Sequence, residues 1–125
     1  MLSARRVHAT LPTPDPERLR AFYEDTLGLT PFAVREANVL YRVGEGTLFA
    51  ITRSGIRPSG HTQMAFTVPD LEAEVADLRG RAVVFEEYEM PKTENGIARM
   101  PQGRAAWFKD PDGNLIGLVQ FDEPT

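Results

Sequence analysis

The sequence contains no cysteine. That absence excludes a disulfide scaffold, a thiolate zinc site and a cysteine nucleophile. Histidine is scarce, with two in 125 residues, so one chain cannot build a multi-histidine metal site. Positive charge is not in excess: 14 Lys and Arg stand against 18 Asp and Glu, a net charge of −4. Such a chain carries no electrostatic footprint for nucleic acid or an anionic membrane. No apolar run approaches the length of a membrane span, and the first residues lack a leader pattern. Neither nucleic acid nor membrane is therefore an expected partner, and the expected compartment is the cytoplasm. There is no Gly-x-Ser-x-Gly and no glycine-rich phosphate loop. What remains is 42% hydrophobic and 26% charged, the composition of a soluble globular domain. The length fits a single domain over 1–125.

Read along the chain, Val7–Leu11 forms a short strand that Pro12, Pro14 and Pro16 end. Asp15 caps a helix carrying Leu19, Phe22, Tyr23 and Leu27, and Gly28 stops it. Val39–Val43 and Leu48–Thr52 flank Gly44-Glu45-Gly46, a hairpin pattern. Residues 54–60 are a connector. The pattern then restarts. Gln63–Val68 reads as a strand, and Pro69 ends it. Asp70 caps a helix with Leu71, Val75 and Leu78, and Gly80 stops it. Ala82–Phe85 is a strand candidate. Ala105–Lys109 and Leu115–Phe121 flank Asp110-Pro111-Asp112-Gly113-Asn114, a second hairpin.

The chain thus reads as βαβ(β)β twice, an α+β fold. The capping aspartates are 55 residues apart and the hairpin glycines Gly46 and Gly113 are 67 apart. The second copy therefore carries about 12 extra residues, which fit the polar stretch Tyr88–Met100, read as a functional or mobile loop. Module one spans about 1–55 and module two about 60–123. At ~60 residues each would be marginal alone, so the two are expected to share a core. By alternation, Val7, Ala9, Leu11, Phe49, Ile51, Met64, Phe66, Val68, Ile116 and Leu118 face the helices. His8, Thr10, Leu48, Ala50, Gln63, Ala65, Gly117 and Val119 face the other way. That second face is too apolar for water and is expected to line a cleft.

Three segments resemble a known family. Residues Asp15 to Leu29 are similar to the first-helix signature of the vicinal oxygen chelate superfamily, the glyoxalase, bleomycin-resistance and extradiol-dioxygenase group. Ala65-Phe66-Thr67-Val68-Pro69-Asp70-Leu71 resembles the start of its second module, and Trp107 to Asn114 its closing hairpin. The resemblance implies paired βαβββ modules whose mixed sheets curl into a cup around a ligand cleft. It also implies that a homodimer is common. It does not specify function, because this fold carries several unrelated activities.

Metal-dependent members place His, Gln or Glu ligands on the first and last strands of each module. The ion polarises two adjacent oxygens of the substrate. Carried over residue by residue, the four positions fall on His8, Ala50, Gln63 and Gly117. His8 and Gln63 are compatible with ligation; Ala50 and Gly117 are not. An imidazole and a neutral amide without a carboxylate make a poor divalent site. His8 is thus either a pocket-facing hydrogen-bonder or a partial ligand, and Gln63 reads the same way. His61 lies at a connector and is expected in solvent.

Trp107 and Phe108 point to opposite faces of one strand. Trp107 is expected at the pocket wall, with a core position as the alternative. Tyr41 and Tyr88 are weaker candidates. Arg99 and Arg104 flank the long stretch and suit an anionic ligand or plain solvent. The two carboxylates of Asp110 and Asp112 read as turn chemistry. The leading expectation is a small-molecule-binding protein of this superfamily, using His8, Gln63, Trp107, Tyr41 and Arg104, without a complete metal site or a cofactor. One alternative is an enzyme, either a metal-dependent lyase, isomerase or dioxygenase with an atypical site or a metal-free epimerase-type catalyst, which needs a carboxylate such as Glu87 or Glu89 to reach the cup. The other is an accessory domain whose dimer surface is its function.

Overall fold

The computed structural model describes residues 1–122; Glu123, the last residue expected in module two, and the two after it lie outside the described residues. The chain divides into two compact units, Met1–Pro58 and a second beginning at Ser59.

In the first unit, β1 (Ala9–Thr13) leads into α1 (Pro16–Ala21), followed by β2 (Pro31–Val34), β3 (Asn38–Val43) and β4 (Thr47–Arg53). The sheet order is β1-β4-β3-β2, with β1 parallel to β4 and the rest antiparallel. Asp15 caps α1 by accepting from the Arg18 amide at 3.2 Å, and Pro16 fills its first position, where a missing N–H costs nothing. The helix widens into a π-type turn over Phe22–Thr26. It stops at Gly28, whose φ of 77° suits only glycine well. Leu11, Leu19, Tyr23, Val39, Tyr41, Phe49 and Ile51 are buried together on the helix side of the sheet. Each such side chain contributes roughly 1.5–3 kcal/mol.

In the second unit, β5 (Thr62–Thr67), α2 (Leu71–Gly80), β6 (Thr93–Glu94), β7 (Ile97–Met100), β8 (Gly103–Lys109) and β9 (Leu115–Phe121) follow in order. The sheet order is β5-β9-β8-β7-β6, with β5 parallel to β9. Asp70 caps α2 through the Ala73 amide at 3.1 Å. Leu71, Val75 and Leu78 pack toward Ala106, Phe108, Ile116 and Leu118. The result is α+β, with two mixed sheets of four and five strands. Each unit is βαβββ, and the second adds the short edge strand β6.

Six sequence expectations need correction. The first strand starts at Ala9, not Val7, which is 91% exposed. Pro12 does not end it, because β1 lies at a sheet edge where a missing donor faces no partner. Pro31–Val34 is a strand that the apolar pattern did not single out. Ala82–Phe85 forms only one bridge, Phe85 to Phe108. Tyr88–Met100 is not a loop: it contains the β6–β7 hairpin, turned by Asn95 and Gly96 with φ of 53° and 80°. Likewise Gly80 is the last residue of α2 rather than its stop. The left-handed residue after the helix is Ala82, at φ 69°.

Candidate functional site

The helix-free face of the second sheet is set by register. Trp107 on β8 stands opposite Gly117 on β9, and Gly117 stands opposite Ala65 on β5. These three form one row across the sheet. Gly117 has no side chain, and its neighbours fill the space: a Cβ there would lie 3.3 Å from the Ala65 Cβ and the Thr62 Cγ2, and 3.5 Å from the Trp107 Cδ1. Trp107 therefore leans along the backbone of β9. Its outer edge meets the Tyr88 ring, centroids 5.7 Å apart at 63°, the edge-to-face geometry aromatic pairs favour. The Trp107 carbonyl accepts from the Glu86 amide at 2.8 Å, which ties the Tyr88 segment to β8. Burial, and then the nearby Glu86 carboxylate, push the Tyr88 hydroxyl pKa up. Both rings are half-buried, so part of the pair remains exposed.

The other expected site residues are distributed differently. Gln63 sits at a β-bulge, since Thr62 pairs with Leu115 and Met64 with the next residue, Ile116. Alternation therefore does not fix its direction. The Thr62 methyl, not singled out by the sequence, reaches the Gly117 row instead. Gln63 accepts a long bond from the Ser59 hydroxyl at 3.4 Å. His8 precedes β1 and is exposed. His61 is exposed in the connector, as its position suggested.

Tyr41 lies on the helix side of the first sheet, fully buried and stacked on Phe49 at 5.2 Å. Its hydroxyl donates to Glu24 at 2.9 Å, and Arg20 holds the same carboxylate at 2.7 Å. Arg20 keeps the Glu24 pKa below its ordinary value. Burial and the bond to Glu24 raise that of Tyr41. Arg104 is on the helix side of the second sheet, paired with Glu72 at 2.6 Å. It lies three positions before Trp107, so the two occupy opposite faces. Asp110 accepts from the Asp112 and Asn114 amides at 2.9 and 3.0 Å and from the Asn114 side chain at 2.8 Å. That is turn chemistry, as expected.

The helix-free face of the first sheet carries a further polar group. Thr10, Ala50 and Leu40 form its central row. Asn38, opposite Thr52 on the same face, has a buried Oδ1 without a hydrogen-bond partner among the described residues. An unpaired buried acceptor of this kind costs about 1–3 kcal/mol. Only the polarity of Asn38 within an apolar strand marks it in the sequence.

A family model described as the glyoxalase/bleomycin resistance protein/dioxygenase superfamily matches residues 5–118. The chain belongs to this superfamily. Among solved structures it is similar to TnmS3, an antibiotic binding protein from Streptomyces sp. CB03234, at 26% identity and a TM-score of 0.70, over 98% of this chain and 100% of that one. It is also similar to a superfamily member from Sphaerobacter thermophilus DSM 20745, at 27% identity and 0.74, over 96% and 99%. A lactoylglutathione lyase from Agrobacterium tumefaciens shares the fold at 16% identity and 0.66, over 94% and 93%. No curated protein matches.

The metal-ligand positions of the superfamily can now be weighed against the structure. Gly117 offers no donor, and its neighbours leave no cradle for one. Ala50 is buried and apolar. Among the described residues no group of three or more His, Cys, Asp or Glu is placed to hold a metal ion. Glu87, a carboxylate the enzyme alternative needs in the cup, accepts from the Thr93 hydroxyl at 2.5 Å and the Gly96 amide at 2.9 Å. It is committed to the hairpin. These donors do not fit a divalent ion. No helix among the described residues is long and apolar enough to cross a membrane.

Proposed function

We propose that the protein binds a small, partly aromatic molecule against the helix-free face of its second sheet, without a divalent metal. The observation that carries this reading is Trp107 leaning across the side-chain-free Gly117, with Tyr88 at its edge. A flat ring held in place and partly exposed is a stacking platform. The small Ala65 and Gly117 leave its approach low. Within the same sheet, Gln63 at the start of β5 is the polar group a ligand would engage for orientation. The similarity to TnmS3, described as an antibiotic binding protein, supports the same ligand class. The lack of a carboxylate at Ala50 and Gly117 favours sequestration over metal-dependent turnover.

The same reading takes the protein as a cytoplasmic homodimer. Phe32 and Val34, about half exposed on the sheet-edge strand β2, suit contact with a second copy. Light scattering on the purified protein reads the assembly directly.

Trp107 is the only tryptophan in the chain, so its fluorescence reports this face alone. Titration with bleomycin and with planar aromatic antibiotics is expected to quench it, saturating at one molecule per chain, and to raise the melting temperature. Binding that appears only after zinc or manganese is added, or no quenching across the panel, would sink the reading.

A further inference from the structure

The second unit contains a groove of about 640 Å³ on the helix side of its sheet, between α2 and the β6–β7 hairpin. That volume is within the usual range for small-ligand sites. Glu72, Val75, Ala76 and Arg79 recur at helical spacing and form one wall. Lys92 and Glu94 form the opposite wall, and Ile97, Arg99 and Arg104 the floor. Four cations therefore meet two carboxylates, in a chain whose net charge is −4.

Two of the cations are neutralised. Arg104 pairs with Glu72 at 2.6 Å and Arg99 with Asp122 at 2.5 Å. The other two are not. Arg79 donates to the Asn95 carbonyl at 2.8 Å, a neutral partner. Its guanidinium also lies over the Phe85 ring at 5.5 Å. Gly96 leaves room for this: a Cβ there would come within 3.0 Å of Arg79 Nη2. The charge of Arg79 is thus held in place rather than free to swing. Lys92 has no ion pair among the described residues. Of the groove's own lining only Glu94 remains to balance the two, with the Glu87 carboxylate near Arg79 from outside the groove. Val75, Ala76 and Ile97 add an apolar surface beside them.

We propose that this groove binds a small organic anion, a carboxylate on an apolar body, with Arg79 and Lys92 facing the charge. This site is separate from the Trp107 face and does not depend on its function. The test is a titration of the isotope-labelled full chain with 2-naphthoate, followed by backbone amide shifts, with neutral 2-naphthamide as control. Saturable shifts are expected in α2 and in 93–100. Lys92→Gln is expected to weaken binding about threefold and Lys92→Glu about tenfold, with Lys92→Arg restoring it. Lys92 is exposed, so these variants should fold. Raising ionic strength from about 20 to about 300 mM is expected to weaken binding as well. Equal binding of 2-naphthamide, no shift at all, or shifts confined to Trp107 and Gly117 would each overturn the proposal. The last outcome would leave the aromatic face as the binding site. Failure of antibiotics to quench Trp107, with groove shifts intact, would instead sink only the reading of that face.

Discussion

Trp107 and Gly117 stand directly opposite each other on β8 and β9, and the missing side chain of one lets the ring of the other lie down. Trp107→Ala is expected to weaken ligand binding by about tenfold or more, since buried aromatic anchors dominate such contacts. Trp107→Phe should retain part of it. Gly117→Leu should abolish binding too, by forcing the indole off the sheet. Calorimetric titration with whichever antibiotic quenches the wild type checks all three. Unchanged affinity in Trp107→Ala would mean the ligand sits elsewhere.

Glu24 links helix and sheet in the first unit. Its pKa is held below the ordinary 4.5, chiefly by the Arg20 hydrogen bond. A depressed acid stabilises the folded state above its unfolded pKa, and that stabilisation disappears as pH falls through the folded value. Stability by urea titration should therefore drop as the pH goes below about 4.5, and Glu24→Gln should flatten that drop. Tyr41→Phe removes one bond to Glu24 and should cost about 1 kcal/mol at neutral pH. Ligand binding should be unaffected, because Tyr41 belongs to the core of the first unit and the proposed platform is Trp107 on the second sheet.

Ala82 takes a left-handed conformation at φ 69°, which glycine adopts at little cost. Ala82→Gly should stabilise the protein by about 0.5–1 kcal/mol. Gly96→Ala should do the reverse, by about 1–3 kcal/mol. It combines φ of 80° with contacts near 3.0 Å to Phe85 and Arg79. Thermal melts of the two variants should move in opposite directions.

Asp110 is buried and accepts three hydrogen bonds around the β8–β9 turn. Asp110→Ala leaves those donors unsatisfied and should destabilise the chain by about 2–4 kcal/mol. Asp112→Ala, which keeps all three, should cost much less. Equal losses would show that the turn is held by something other than Asp110.

Much of the fold was readable because its signals are local. Asp15 and Asp70 each cap a helix by accepting an amide three residues on, and Gly46 and Gly113 turn hairpins at positive φ. The β6–β7 hairpin was missed although Asn95-Gly96 is a strong turn pair, because Thr93, Glu94 and Arg99 give its strands no apolar alternation. β2 was missed for a related reason: it is an edge strand, and Phe32 and Val34 face outward. The site was less legible. That Trp107 and Arg104 occupy opposite faces follows from period two alone. The bulge at Gln63 does not, since no glycine or proline marks it. Tyr41 shares its parity with the core residue Val39, but its partner Glu24 lies 17 residues away, beyond any local pattern.

In each unit the first strand pairs in parallel with the last, Ala9 with Phe49 and Ala65 with Gly117. These contacts join residues 40 and 52 positions apart, whereas β3–β4 and β8–β9 close across short turns. Loop-closure entropy makes the long-range pairings the late ones in folding. Ala65 and Thr62 are therefore expected to reach Gly117 last, after Trp107 is already in place on β8. A nascent or partly folded chain would present the indole without its neighbouring strand, so ligand recognition should arrive only with the final step of assembly.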